Sequence, residues 1–317
     1  MLRILLYVCC LLLAPFAGAQ NYPTKPVRIV VPFAAGSVSD GVARLLAQEL
    51  SKEMGVQFIV DDKPGANSII GAEAVANAAP DGYTLLLPSN TALAANLALY
   101  KKLPYDPVAS FTPIMRIGNY PFVLVVNPDL PVKSVPELIA HARANPGKLN
   151  YATSNSLSLV GAETFNVLAK TTIVRVPYKA NPQALSDLMN GQVHMMVADI
   201  GTAMTHVKAG KLRALGVTPA KRTRLAPGMA SVAESGLPGF DFTGWVGLVG
   251  PAKLPPEIVN KLHAAVSKIL AKQEVREAFD RIGTDIAPSK PEEFAAYIKQ
   301  QIGDWGARVK AAGIASR

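Results

Sequence analysis

The amino-acid sequence predicts an α/β protein of two lobes, on three observations. Units of β-rich strand, small polar loop and amphipathic helix recur along the chain, which is the pattern of a largely parallel sheet with helices packed on it. Half of the 317 residues are hydrophobic and only 17% are charged, enough to build packed cores and too few charges for a disordered chain. Two groups of such units are parted from a last strand and two closing helices by the Pro/Gly-rich segment 226–239.

The N-terminus reads as a secretory signal peptide over residues 1–19. Arg3 gives a positive start, Ile4 to Leu13 an apolar run of about ten residues, and Ala17-Gly18-Ala19 a small-x-small cleavage site. The run is too short for a transmembrane anchor and is interrupted soon after by Pro15. A lipoprotein reading would need Cys9 or Cys10, but both lie inside the apolar run. They are the only cysteines, so no disulfide framework or Cys-rich zinc site is expected downstream. The expected product is periplasmic.

Val27–Val31 is the first strand, Ala34–Ser39 a small polar loop, and Val42, Leu45, Leu46 and Leu50 recur at helical spacing. Phe58–Val60 leads through Pro64–Ser68 to a helix over 69–78. Tyr83–Leu87 leads to Ser89-Asn90-Thr91 and an Ala/Leu-rich segment ending at Leu99. The second group opens with a buried strand, Phe122–Val126. Ser134 and Glu137 then form a capping box for a helix toward Ala144. Strand 148–152 enters the loop Thr153–Ser158 and a helix through Phe165. Strand 174–177, helix 184–189, strand 193–197 and strand 213–217 complete the group. After strand 245–249, Ile258, Leu262, Val266 and Ile269 define one closing helix. A second box, Ser289-Lys290-Pro291-Glu292, opens the other.

The net charge of +9 favours anionic partners, but the cations are scattered and no basic run with aromatics marks a nucleic-acid face. The sequence lacks Gly-x-Ser-x-Gly, a phosphate loop and Gly-x-Gly-x-x-Gly, and its four histidines lack metal spacing. No catalytic residue, metal or cofactor is expected. The alternative is an exported hydrolase using a loop serine, for which no base is recognisable. His194 and Asp199 flank a strand end, with a structural role and an approach to the cleft both open.

The chemistry with most support is anion binding. Loops of hydroxyl and amide residues leading into helices present free N–H groups and the positive end of a helix dipole. Ser37 and Ser39, Asn67 and Ser68, Ser89 and Asn90, and Ser154, Asn155 and Ser156 stand in four such loops. Each also has a plainer role as the cap of its own helix. Tyr178 and Lys179 can add a hydroxyl and a cation, although a solvated loop lysine is an equal reading of Lys179.

The order of segments resembles the substrate-binding proteins of tripartite tricarboxylate transporters, the Bordetella uptake gene family. The resemblance rests on Pro26-Val27-Arg28-Ile29-Val30-Val31-Pro32-Phe33, Ala79-Pro80-Asp81-Gly82-Tyr83, Leu103-Pro104-Tyr105-Asp106-Pro107, Pro146-Gly147-Lys148-Leu149-Asn150-Tyr151, Val176-Pro177-Tyr178-Lys179 and Ala209-Gly210-Lys211-Leu212. It implies a type II periplasmic binding protein fold, two α/β lobes joined by two crossing segments around an interlobe cleft. Lobe 1 would comprise 20–124 and 245–317 and lobe 2 would comprise 125–244, with hinges near Phe122–Val125 and Gly244–Gly247. It further implies a receptor that closes over a small carboxylate and delivers it to transmembrane transporter subunits or a sensor; a monomer with no nucleic-acid partner is expected. The loops Phe33–Ser39, including Ala35 and Gly36, and Ser154–Ser158 would carry the ligand. This chain departs from the family pattern in both loops, has Leu159 where a His is usual, and carries Ala198-Asp199 in place of an Asp-Asn pair.

Overall fold

The computed structural model describes residues 22–317. The signal-peptide expectation lies outside the described residues. Among the described residues no helix is long and apolar enough to cross a membrane.

In chain order the elements are β1 (Val27–Val31), α1 (Val38–Met54), β2 (Phe58–Asp62), α2 (Ile69–Ala76), β3 (Thr84–Leu86), a π-helical turn (Thr91–Ala95) running into α3 (Asn96–Leu99), and β4 (Phe111–Val126). There follow α4 (Val135–Ala144), β5 (Asn150–Thr153), α5 (Ser156–Ala169), β6 (Val174–Pro177), α6 (Asn181–Met189), β7 (Met195–Asp199), α7 (Ile200–Lys208) and β8 (Arg213–Val217). The chain closes with β9 (Thr243–Pro251), α8 (Pro256–Ala271), α9 (Gln273–Ile282), β10 (Asp285–Ile286) and α10 (Pro291–Ala311).

The long strand β4 belongs to both lobes. From Phe111 to Pro121 it pairs antiparallel with β9, and from Phe122 to Val126 it pairs antiparallel with β7. One sheet therefore runs β2-β1-β3-β9-β4, with β1, β2 and β3 parallel. The other runs β4-β7-β5-β6, with β5 parallel to both neighbours, and β8 pairs with β4 on its other edge. The sheets are thus mixed: in the first β9 runs antiparallel to its neighbours β3 and β4, and in the second β4 runs antiparallel to β7 and β8. The sequence reading saw only the second half of β4. Its first half contains Pro113, Arg116, Gly118 and Asn119, which obscure the strand signal, and register shifts fall near the Pro and Gly positions.

Alternation along β1 dictates the layers. Val27, Ile29 and Val31 pack with Val42, Leu46 and Leu50 of α1 and Leu262 and Val266 of α8, while Val30 faces Ala72 and Val75 of α2 and Phe294 and Ile298 of α10. The second lobe repeats the plan: Leu124, Tyr151 and Val197 face α4 and α5, and Val123, Val125, Ala152 and Met196 face α6 and α7. Trp245 of β9 is fully buried, edge-on to Phe294 with ring centroids 5.6 Å apart, and its indole N–H donates to Gln301 at 3.2 Å. Truncating it to Ala would cost about 3–5 kcal/mol and loosen α10.

Two local expectations are corrected. The cap of α10 is Lys290, whose N–H is accepted by Glu293, whereas the Ser289 hydroxyl accepts from the Arg116 N–H. The closing segment holds three helices, because α9 follows α8 after a single extended residue, Lys272.

Both crossings meet at one buried side chain. The Thr218 hydroxyl donates to the Phe242 carbonyl at 2.7 Å and accepts from the Phe122 N–H at 3.0 Å, while the Phe242 N–H reaches the Thr218 carbonyl at 3.0 Å.

Candidate functional site

The strand ends of both lobes open onto one cleft of about 570 Å³, a size that suits a small organic ligand. Each lobe supplies one long helix whose N-terminus borders it.

In the first lobe β1 ends at Val31 and the loop reaches Ser37, the extended N-cap of α1, whose Oγ accepts the Asp40 N–H at 3.2 Å. The buried Asp40 carboxylate accepts the Gly36 N–H at 2.8 Å and is held by Arg44 at 2.6 Å, which also reaches Asp62 at 2.8 Å. Gly36, at φ 80°, is the one residue of this loop that must be Gly. Burial is the main cause that raises the Asp62 carboxyl above the usual range, with the Asp40 charge adding to it and Arg44 opposing it. The N–H groups of Val38 and Ser39 have no acceptor among the described residues.

In the second lobe Asn155 caps α5. Its Oδ1 accepts the Ser158 N–H at 2.8 Å, and the Ser158 Oγ accepts the N–H groups of Asn155 and Ser154 at 3.1 and 3.0 Å. The N–H groups of Ser156 and Leu157 are left without an acceptor among the described residues. Both loops therefore use their side chains as caps and still leave helix N–H groups and a dipole end to offer an anion.

The loop before α2 joins the two. Ala66, Asn67 and Ser68 take positive φ in succession, at 44°, 54° and 73°, a conformation that costs non-Gly residues about 1–2 kcal/mol each. This curl places the Asn67 Nδ2 where it donates to Asn96 Oδ1 and to Ser156 Oγ across the lobes, both at 2.7 Å. Ser68 is buried, does not cap α2, and its Oγ has no partner.

Of the residues expected from sequence, Phe33, Ser37, Asn67, Ser68, Ser154, Asn155, Ser156, Tyr178, Lys179 and Asp199 line the cleft. Ala35 and Gly36 are exposed in the first loop but do not face it. Ser39 is turned to a cavity of about 10 Å³ behind the cleft. Ser89 is wholly buried, its Oγ accepting the Thr91 N–H at 3.1 Å, and its side chain faces the Tyr120 hydroxyl. Asn90 is also fully buried, and neither polar atom of its amide finds a partner. Ser89 and Asn90 form a layer beneath the site because the short stretch between β3 and the π-helical turn runs through the core. The Tyr178 hydroxyl donates to Asp187 at 2.9 Å; burial and then that carboxylate push the phenol up to about 12. His194 lies away from the cleft, at the start of β7, where its Nδ1 accepts the Asn150 N–H at 3.0 Å.

Arg175 and Asn181 line the cleft and were missed by sequence reading. Arg175 Nε donates to Thr153 Oγ1 at 3.2 Å, and the Asn181 amide donates to Thr202 at 3.0 Å and lies 3.4 Å from the Ser154 hydroxyl. Asn181-Pro182 is a helix-start signal that made Asn181 findable, whereas strand alternation gives Arg175 a face shared with Pro177 but not the cavity that face meets. No group of three or more His, Cys, Asp or Glu able to hold a metal occurs among the described residues.

Asp199 closes the cleft at its deep end. It ends β7, is 6% exposed, and lines both the cleft and the small cavity; burial raises its carboxyl to about 7.

The description "Tripartite tricarboxylate transporter family receptor" matches residues 42–314. The chain is 32% identical to the protein BugT of Bordetella pertussis, covering 93% of this chain and 92% of BugT. It is 34% identical to a protein from a tcbD-tcbE intergenic region of Pseudomonas sp. strain P51, covering 90% of this chain and 85% of that one. Among solved structures, an R. palustris protein with adipate superimposes with a TM-score of 0.91 at 33% identity, covering 94% of this chain and all of that one. MatC from Rhodopseudomonas palustris with bound malate gives 0.84 at 32%, covering 91% of this chain and all of MatC.

Proposed function

The chain belongs to the tripartite tricarboxylate transporter receptor family, and from that premise we propose that it is a periplasmic receptor closing two lobes over a small organic carboxylate. The observation that carries this reading is the pair of helix N-termini, α1 and α5, each capped by its own side chains and each with two N–H groups to spare beside one cleft. A carboxylate has two oxygens with four lone-pair directions, which such groups satisfy without a full countercharge. Hydroxyls of Ser37, Ser154 and Ser156 and the cations Arg175 and Lys179 border the same space. That solved relatives hold adipate and malate supports the ligand class.

In this reading lobe 1 is 20–124 with 245–317 and lobe 2 is 125–244, moving about the crossings that Thr218 ties together. The closed form is presented to transmembrane subunits of a tripartite tricarboxylate-type transporter or to a sensor, by a monomer released from a cleaved signal peptide. The protein does not catalyse: Ser37 and Ser158 are committed to caps and Ser156 to the Asn67 amide, Ser68 has no hydrogen-bond partner to serve as its base, and no histidine lines the cleft.

The test is thermal unfolding of the purified protein against dicarboxylates, tricarboxylates, aromatic acids, amino acids and neutral controls. An acid at a hundred times its dissociation constant adds about 2.7 kcal/mol, a rise of several degrees. A selective rise with one class of acid is expected. No rise with any acid, or turnover of an ester or amide, would overturn the reading.

A further inference from the structure

The carboxyl of Asp199 sets the question. It is buried in the deep wall of the cleft, yet it has no hydrogen-bond donor and no cation within reach among the described residues; only its backbone carbonyl is engaged, by the Thr202 hydroxyl at 3.1 Å. It stands at the N-cap position of α7 without making the side-chain hydrogen bond of a cap. Arg175 and Lys179, on the same cleft, form no ion pair with it. The carboxyl borders the cleft, so a ligand that fills the cleft takes water from it, which is costly unless the ligand supplies a donor in return.

Its position defines what the ligand must bring. Asp199 shares the cavity of about 10 Å³ with Val38 and Ser39 of α1 and Leu157 of α5, three of the four residues that present spare N–H groups. An anionic oxygen on those amides is therefore next to a carboxyl that, once ionised, can only accept. Beside the ionised carboxyl an unsubstituted acid sets a second anion and supplies no donor. An acid with a donor on the adjacent carbon fills both demands at once.

We propose that Asp199 is the specificity-determining acceptor of the cleft, selecting acids with a hydroxyl or ammonium on the carbon next to the bound carboxylate over their unsubstituted counterparts. This rests on the carboxylate reading of the cleft. A site built to receive a donor rejects the analogue that lacks it, because its own polar group is then left unpaired.

The experiment is calorimetric titration of matched acids into the wild type, Asp199→Asn and Asp199→Ala, each checked for folding by circular dichroism. The acids are succinate, malate and aspartate, and adipate, 2-hydroxyadipate and 2-aminoadipate. In the wild type at least one substituted acid is expected to bind about tenfold or more tightly than its parent. Asp199→Ala is expected to bring that ratio within about twofold, by weakening the substituted acid. Asp199→Asn separates the two donors: it keeps a preference for hydroxyl and loses one for ammonium. Parent acids that match both substituted forms in the wild type, or a ratio untouched in Asp199→Ala, would overturn this proposal alone. Failure of all six acids to bind the wild type would overturn the carboxylate reading and this one with it.

Discussion

At the cleft the lobes meet through the Asn67 amide and the Ser156 hydroxyl, beside a left-handed loop and a buried carboxyl without a donor. Outside the cleft lining they meet through close backbone packing of Gly201 on Ile282 and Gly283, the saturated hydroxyl of Thr218, and Arg224 bound to Asp280 and Asp285. The first contact is polar, sparse and partly unsatisfied; the second is tight and is paired at Thr218 and Arg224. A receptor that opens and closes needs this division, since bonds remade in each cycle must be cheap and the pivot must not slip.

The sharpest break in the comparison is the titration of Asp199. Its carboxyl titrates near 7 in the fold and about 3.9 when unfolded, so the folded state holds the extra proton between those values. Stability of the ligand-free protein should therefore fall as pH rises from about 4 to about 7, by on the order of 4 kcal/mol from this group. Tyr120 of β4 is the titratable neighbour facing it, and its phenol is pushed up by burial first and the Asp199 charge second, so it stays neutral throughout. Asp199→Asn should flatten that part of a urea-midpoint profile. A slope that persists in the variant places the proton elsewhere.

Gly201→Ala comes next, because a Cβ there would lie 1.9 Å from the Ile282 carbonyl oxygen. It should destabilise by about 3 kcal/mol and hold the lobes apart. Small-angle scattering would show a larger radius that carboxylate does not reduce. Thr218→Val, the same shape without the hydroxyl, should cost about 2 kcal/mol by leaving Phe122 and Phe242 groups unpaired. Thermal unfolding measures it, and an unchanged midpoint would mean that the crossings do not depend on this residue.

Asn67→Gly should leave stability within about 1 kcal/mol, as relief of the positive φ offsets the lost hydrogen bonds. Carboxylate affinity should fall about fivefold through the missing link to Ser156. The smallest effect is Arg224→Ala. Its ion pairs are half-exposed, so the loss should stay under about 1 kcal/mol and vanish in high salt.

Much of this fold is legible in the sequence because local signals agree with tertiary demand. The alternation of β1, the Ser134–Glu137 cap and the periodicity of α8 each point to the element that forms. Where the chain serves two lobes, local signals thin out. β4 reads as a strand only from Phe122, and α7, whose first turn must pack against α9 at Gly201, was not anticipated. At the site, loop chemistry identifies hydroxyls at strand exits but not their direction. Ser37 and Ser89 stand in similar settings, yet one borders the cleft and the other lies under it against Tyr120. Arg175 was hidden because a charged residue within a short strand carries no sign of which cavity its face will meet.

The central claim is that a small carboxylate binds in the cleft between the lobes. Ala180 lines that cleft and is the N-cap of α6 without a side-chain hydrogen bond to lose, in an extended conformation that accepts a large residue. Ala180→Trp therefore fills the space without unpicking the fold. Calorimetric titration of the best acid should give one site per chain in the wild type and a loss of about tenfold or more in Ala180→Trp, with the unfolding midpoint unchanged. Equal affinity in the two proteins would place the acid outside the cleft and contradict the account.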